Sequence, residues 1–173
     1  MRKIVLYIAS SLDGFIADRN NEIAWLTSFH GDYGYHDFLK TVDTVLSGRK
    51  TYDAVVAMSV PDSHPRQMNY IFTAAPERYQ STANMLFTSQ DPIELAEELR
   101  KQNGKDIFLV GGGELIVRFL EHRMIDEIIL FIVPTLLCEG VPLFRKHETQ
   151  TEYSTVSVNK YDDGMIELRL VKK

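Results

Sequence analysis

Residues 107–115 read Ile107-Phe108-Leu109-Val110-Gly111-Gly112-Gly113-Glu114-Leu115. Four consecutive apolar residues followed by glycines are typical of a strand that is buried on both faces and then turns sharply. Beyond the glycines, four apolar residues are spaced so that they form one face of a helix: Leu115, Ile116, Phe119 and Leu120. A buried strand that leads through glycines into an amphipathic helix predicts an α/β fold with a parallel sheet.

Outward from this stretch, short apolar runs and helical segments alternate. The other runs that we predict as buried strands are Ile4 to Ala9, Thr44 to Leu46, Tyr70 to Thr73 and Ile128 to Val133. One helix is predicted from Asp91 to Gly104, because Asp91 can cap it, Pro92 suits its first turn and Gly104 can end it. Another helix is predicted from about Arg49 through Val56.

The last twenty residues change from continuous to alternating hydrophobicity. Val156 and Val158 alternate with polar residues, Asp163-Gly164 is typical of a two-residue turn, and the apolar residues that follow alternate again: Ile166, Leu168 and Leu170. The pattern predicts an antiparallel hairpin, so the expected architecture is a mostly parallel α/β sheet that ends in this hairpin.

Composition limits the class of protein. With 173 residues, of which 45% are hydrophobic and 25% charged, the chain is expected to form a single domain over residues 1–173. The net charge of -5 argues against nucleic acid as a partner, and no apolar run is long enough to span a membrane. Cys138 is the only cysteine, so we expect no disulfide and a reducing cytoplasm. The five histidines form no paired ligand motif, and no metal is predicted.

Two segments place glycine or basic residues where a strand leads into a helix. Gly111-Gly112-Gly113 allows a phosphate to approach the backbone, and Gly48-Arg49-Lys50-Thr51 adds two cations and a hydroxyl at a helix start. Taken singly, the first is equally well explained as a tight crossover and the second as a solvated basic helix start. A P-loop is excluded because Arg49 separates Gly48 from Lys50, and a Rossmann fingerprint is excluded because Ile116 stands where its third glycine belongs.

These segments resemble a known family. Gly48-Arg49-Lys50-Thr51-Tyr52 is similar to the G-R-x-T-W segment of dihydrofolate reductases, Pro65 through Thr73 resembles their P-G-R-x-N-x-I-x-S stretch, and Val110-Gly111-Gly112-Gly113 resembles their I-G-G-G turn. Ser11-Leu12-Asp13-Gly14-Phe15-Ile16-Ala17 is closer to the S-L-D-G-x-I-A signature of the reductase domain of bacterial riboflavin biosynthesis, the RibD C-terminal domain. The resemblance implies a three-layer α/β/α dihydrofolate-reductase-like fold with a mostly parallel mixed central sheet.

The resemblance also implies NADPH as the cofactor. Arg49, helped by Thr73, would hold the 2'-phosphate, Lys50 and Thr51 would meet the pyrophosphate, and Ala9 and Ile16 would flank the nicotinamide. The complete set of implied cofactor-binding residues is Ala9, Ile16, Gly48, Arg49, Lys50, Thr51, Thr73, Gly111, Gly112, Gly113, Glu114 and Leu115.

On the substrate side the residues depart from both families. Asp32 and Asp37 are the candidate catalytic acids, although neither is in register with the acid of dihydrofolate reductases. Gln67 replaces their folate-clamping arginine and Ile132 the threonine that supports their acid, whereas Val110 replaces the glutamate that precedes the paired glycines of the riboflavin-pathway domain. We therefore expect a reductase of a small heterocyclic substrate, of the 5-amino-6-(5-phosphoribosylamino)uracil reductase and dihydrofolate reductase group, that is not a true dihydrofolate reductase.

Other readings stay open from the sequence. Asp13 either contacts substrate or caps a turn, and five aromatic residues either form the walls of a flat pocket or belong to the core: Trp25, Phe29, Tyr33, Tyr35 and Phe38. The chain is either a catalyst or an NADP-binding module without catalysis. In either case its C-terminal strands are candidates for pairing with a second copy in a homodimer.

Overall fold

The computed structural model describes residues 1–57 and 64–173. Its strands are β1 (Ile4–Ser11), β2 (Phe15–Asp18), β3 (Val42–Gly48), β4 (Met68–Phe72), β5 (Met85–Thr88), β6 (Asp106–Gly111), β7 (Glu127–Val133), β8 (Gly140–Pro142), β9 (Tyr153–Lys160) and β10 (Ile166–Lys172). Its α-helices are α1 (Tyr35–Thr41), α2 (Arg49–Ala57), α3 (Pro92–Lys101) and α4 (Gly113–Glu121). All the predicted strands and helices are therefore present in the described residues.

An eight-stranded sheet with the order β5-β4-β3-β6-β1-β7-β10-β9 forms the centre of the molecule. The strands from β5 to β7 in this order pair in parallel, while β10 pairs antiparallel with both β7 and β9. The prediction of a mostly parallel sheet that ends in an antiparallel hairpin is confirmed. A separate two-stranded sheet joins β2 to β8.

Helices cover the sheet on both faces because alternate side chains of its central strands point to opposite sides. Ile107 and Leu109 of β6 join a core cluster with apolar residues of α3 and α4, whereas Phe108 between them joins a second cluster with Phe38 of α1. Each central strand is thus buried on both faces, which explains its continuous apolar sequence. The three-layer α/β/α architecture is confirmed.

Two predicted boundaries were wrong. The helix that we predicted to end at Gly104 ends at Lys101, and Gln102 is already extended. Arg2 supplies the reason, because its backbone N–H donates to the carbonyl of Arg100 and its guanidinium to that of Leu99, so these last-turn carbonyls need no glycine cap.

The turn of the hairpin has three residues and not two. Tyr161 N–H donates to the Met165 carbonyl at 2.9 Å, and Gly164 N–H donates to the Tyr161 carbonyl at 3.0 Å. Gly164 has a φ of +91°, a conformation that favours glycine in a three-residue hairpin loop. Asp163 precedes this glycine within the loop, so the sequence located the turn correctly but gave the wrong length.

Candidate functional site

The two glycine segments lie side by side at the carboxyl edge of the sheet. Strands β3 and β6 are parallel neighbours, and their register pairs Ser47 with Gly111 at the ends of the strands. A Cβ atom added to Gly48 would lie 3.6 Å from the carbonyl oxygen of Gly111. Two segments more than sixty residues apart in the chain therefore form one surface, at the edge where open α/β sheets bind ligands.

This surface belongs to a cleft of about 1150 Å³. Of the implied cofactor-binding residues, all except Gly111 line the cleft: Ala9, Ile16, Gly48, Arg49, Lys50, Thr51, Thr73, Gly112, Gly113, Glu114 and Leu115. Gly111 is buried behind it, where a φ of +107° and a contact of 3.0 Å between its added Cβ and Ile116 both disfavour a side chain. The structure thus brings the predicted cofactor residues together.

Helices α2 and α4 both begin at this cleft, where the N–H groups of a first helical turn favour an anion. In α4 the Leu115 N–H already donates to the Gly112 carbonyl at 2.9 Å, so the N–H groups of Gly113 and Glu114 are those to consider. The N-cap of α4 is Gly112, which has no side chain that could accept from those N–H groups. A Cβ atom on Gly112 would lie 3.1 Å from Thr51 Oγ1, and one on Gly113 would lie 3.2 Å from Arg145 Nε. The glycines therefore let a hydroxyl and a guanidinium approach the backbone at the start of α4, a combination of groups that fits a phosphate-bearing ligand.

Four basic side chains line this part of the cleft, and each already has an acidic partner. Arg49 pairs with Asp53 one turn along α2, and Arg118 with Asp91 at 2.5 Å. Lys50 Nζ and Arg145 Nη1 each lie 3.6 Å from the same carboxylate oxygen of Glu114. The Glu114 side chain itself repels phosphate, so its contribution as a cofactor-binding residue is restricted to its backbone N–H.

Sequence reasoning missed Arg118 and Arg145. Arg118 lies one turn beyond Glu114 on α4, so its helical spacing from the glycine triplet could have suggested it. Arg145 follows β8, and only the position of that strand brings it against Gly113.

The other half of the cleft is aromatic. We call it the aromatic half and define it by the rings of Tyr7, Phe29, Tyr33, Tyr35 and Phe131, which all line the cleft. The centroid of the Tyr7 ring is 4.8 Å from that of Phe131 and 5.3 Å from that of Tyr35. Burial raises the pKa of Tyr35 to about 12 and raises that of Tyr7 further, so these phenols are neutral at ordinary pH.

The hypothesis of an aromatic wall is correct for part of the predicted set. Phe29, Tyr33 and Tyr35 line the cleft. Phe38 is 8% exposed and stacks on Tyr7 from behind, with ring centroids 4.6 Å apart. Trp25 packs against the core cluster that contains Phe38 and does not line the cleft. Phe38 and Trp25 are therefore structural.

The two candidate acids differ in position. Asp32 lines the cleft and accepts a hydrogen bond from Nδ1 of His36, which also lines it. This bond holds the pKa of the Asp32 carboxyl below its usual range, so Asp32 is ionised near neutral pH. Asp37 does not line the cleft; its side chain is 83% exposed and pairs with Lys40 at 2.7 Å.

The side chains of Asp13 and Gln67 form hydrogen bonds to backbone groups. The Asp13 carboxylate accepts hydrogen bonds from Ser11 Oγ and from the N–H groups of Leu137 and Cys138, which agrees with the turn-capping reading. The buried Gln67 amide donates to the carbonyl of Leu39 at 2.9 Å and is not part of the cleft. Gln67 is therefore not placed to hold a carboxylate of a ligand in the cleft.

Two further observations concern residues 1–57 and 64–173 only. No group of three His, Cys, Asp or Glu side chains in these ranges is placed to hold a metal ion. No helix in them combines the length and the apolar character needed to cross a membrane.

The fold and the cleft define an α/β protein of the dihydrofolate-reductase-like class. More particularly, the chain belongs to the RibD C-terminal domain family, whose model matches residues 2–166. It is 39% identical over 153 residues to the uncharacterized protein YwjB of Bacillus subtilis, a match that covers 87% of each chain.

Solved structures agree with this fold. A protein of Shewanella sp. PV-4 assigned to riboflavin biosynthesis superposes with a TM-score of 0.86 at 23% identity, over 99% of both chains. Dihydrofolate reductase from Enterococcus faecalis, solved in complex with NADP(H), superposes with a TM-score of 0.72 at 14% identity over 99% of this chain and 96% of that one. Together with the family match, these similarities identify a reductase fold.

Proposed function

We propose that the protein is an NADPH-dependent reductase that transfers hydride to a small heterocyclic substrate. It is most like the 5-amino-6-(5-phosphoribosylamino)uracil reductase and dihydrofolate reductase group, and it is not a true dihydrofolate reductase. The observation that carries the proposal is the division of one cleft into a half with two open helix N-termini and basic side chains and a half with aromatic rings. The exposed, unpaired Cys138 is compatible with a reducing cytoplasm.

The residues of the first half fit NADPH. A pyrophosphate would lie against the start of α4, where Gly112 and Gly113 present backbone without side chains. Lys50 and Thr51 would hold the pyrophosphate from α2, and Arg49 with Thr73 would hold the 2'-phosphate. When bound, NADPH supplies the hydride, and the protein contributes position and electrostatics.

The nicotinamide would lie where β1 ends. Ala9 of β1 and Ile16 of β2 both line the cleft. Their small and apolar side chains exclude water without competing for hydrogen bonds, and the substrate ring would pack against the aromatic half on the other side. Gln67 is engaged with Leu39, which removes the contact that a folate carboxylate would need.

Titration with NADPH, followed by cofactor fluorescence, tests the proposal. We expect saturable binding that Lys50→Gln weakens and that Lys40→Gln leaves unchanged, because Lys40 is an equally exposed lysine on α1 outside the cleft. Absence of saturable binding in the wild-type protein, or equal effects of the two substitutions, would contradict the cofactor assignment.

A non-catalytic NADP-binding module is the second candidate. It is favoured by the ionised state of Asp32, because among the described residues that line the aromatic half this is the only carboxyl group. The absorbance of NADPH, followed against a panel of pterins, pyrimidines and quinoid compounds, separates the two functions. Consumption of NADPH with any of these compounds rules out the non-catalytic module, and binding without consumption across the panel supports it.

A further inference from the structure

Charge is distributed unevenly along the cleft. Its four lysine and arginine side chains belong to α2, to α4 and to the segment after β8: Arg49, Lys50, Arg118 and Arg145. In the described ranges the aromatic half is lined by no lysine or arginine, and the remaining residues 58–63 contain neither type in the sequence. Two histidines, His30 and His36, line it as well, and His36 is bonded to Asp32.

The fixed charges around the aromatic half are acidic. Asp32 lines it directly, with a side chain that is 46% exposed. Behind the rings, the Tyr33 hydroxyl donates to Asp163. The hydroxyl of Tyr161, whose ring lies 4.9 Å from that of Tyr33, donates to Glu167. An anionic group placed among these rings would lose hydration and face the Asp32 carboxylate, whereas a cation would face that carboxylate and the negative faces of the rings.

We infer that the aromatic half binds a planar, cationic hydride acceptor, of the iminium or N-alkylated heteroaromatic class, that carries no phosphate or carboxylate. The inference rests on the proposed function and narrows its substrate class. A phosphorylated sugar or a folate tail would require a cation that this half does not provide. Aromatic rings that surround a positively charged ligand are a recurring solution in proteins.

Such an acceptor also suits a site in which no carboxylic acid among the described residues is placed to give a proton. When hydride adds to the carbon of a C=N⁺ group, the π pair moves to nitrogen as a lone pair and the acceptor becomes a neutral amine. NADPH would supply the hydride, that is two electrons and one hydrogen, and would take up the positive charge, so the step would balance without consuming a proton. Asp32, which its bond to His36 keeps ionised, has no proton to donate near neutral pH and acts as a counter-ion.

The test compares two probes that differ in one anionic group. N-methyl-dihydroisoquinolinium is a planar iminium cation, and its N-carboxymethyl counterpart adds a carboxylate. Binding to the full-length protein saturated with NADP⁺ is measured by quenching of intrinsic fluorescence, which does not depend on turnover. We expect the methyl compound to bind about tenfold more tightly than the carboxymethyl compound.

Two aspartates of the same region provide matched variants. Asp32→Asn is expected to weaken binding of the methyl compound about threefold or more and to reduce the preference between the probes. Asp37→Asn removes the same charge outside the cleft and is expected to change neither. Phe29→Leu keeps an apolar side chain but removes the ring. We expect it to weaken binding of the methyl compound more than binding of the carboxymethyl compound. Circular dichroism confirms that each variant is folded.

The outcomes separate this inference from the proposed function. Equal or tighter binding of the carboxymethyl compound, or equal effects of the two aspartate substitutions, overturns the inference even if NADPH binds and is consumed with other acceptors. Failure of NADPH to bind overturns the proposed function, while the preference between the probes, measured without cofactor, still decides the charge of the ligand. Oxidation of NADPH by the methyl compound supports both.

Discussion

Arg49→Gln is the most direct test of how the cofactor phosphate is recognised. Arg49 is the first residue of α2, its side chain is 39% exposed, and it is bonded to Asp53 within the same helix. The hydrogen bond that Arg49 donates to Tyr79, together with the negative charge of Asp53, raises the pKa of Arg49, which is therefore charged under all working conditions. NADPH and NADH differ only in the 2'-phosphate, so the substitution should affect one cofactor and not the other.

The expected size of the effect follows from these contacts. Hydrogen bonds from a guanidinium to a phosphate change a binding constant by about one to two orders of magnitude. In the free protein Arg49 already bonds Asp53, and giving up such an exposed pair offsets this by a factor of about five or less. We therefore expect Arg49→Gln to weaken NADPH binding by about 2- to 100-fold and to leave NADH binding within about twofold.

Isothermal titration of both cofactors measures this difference. Arg49→Lys is the matched control, because it keeps the charge and loses the planar fork, and its loss should be intermediate. Asp53→Asn should tighten NADPH binding, since it releases Arg49. If Arg49→Gln weakens NADPH and NADH to the same degree, Arg49 does not read the 2'-phosphate and the reasoning is refuted.

The remaining predictions concern the basic part of the cleft, a helix cap and the oligomeric state. Glu114→Gln should tighten NADPH and NADH equally in titrations, because it removes the carboxylate that Lys50 and Arg145 now face; weaker binding of either cofactor would contradict this. Asp91→Ala should lower the free energy of unfolding by about 1 kcal/mol in urea at neutral pH, since Asp91 caps α3. The hydrogen bond from Arg118 lowers the pKa of Asp91 from 3.8. The difference in free energy of unfolding between the wild type and Asp91→Ala should therefore be present above about pH 4 and disappear as the pH falls through the folded-state pKa. A difference that persists in strong acid would contradict this expectation. For the homodimer predicted from the C-terminal strands, we expect the wild-type protein to sediment as a dimer and Val158→Lys as a monomer, because Val158 is 60% exposed on edge strand β9; a monomeric wild type would contradict it.

Local sequence predicted the elements well because their causes are local. The cap at Asp91 with Pro92 behind it set the start of α3 to the residue, and the apolar run before Gly111 set β6. The end of α3 was mispredicted because Arg2, some hundred residues away in the chain, bonds its last carbonyls. A boundary that depends on a distant side chain cannot be derived from the neighbouring residues.

The candidate site likewise contains residues that the sequence identifies and residues that only the fold identifies. Glycines and basic residues at strand-to-helix junctions are recognisable in the sequence because a phosphate site needs an exposed backbone and positive charge at those points. The substrate side has no such local requirement. Asp32 and Asp37 are five residues apart and look equivalent in the sequence, yet the fold places one in the cleft and leaves the other in solvent.

By itself, the sequence determined the α/β class and the strand-to-helix junctions, since both follow from short-range periodicity and backbone freedom. The residues expected to hold a dinucleotide came from the resemblance to known families. Tertiary structure alone decided that Gly48 meets Gly111, that Arg145 reaches the start of α4, and that aromatic rings with acidic neighbours form the other half of the cleft. The physical reason is the order of the strands. Pairing of β3 with β6 brings distant segments together, and the charge of a binding site is the sum over all the segments that meet there.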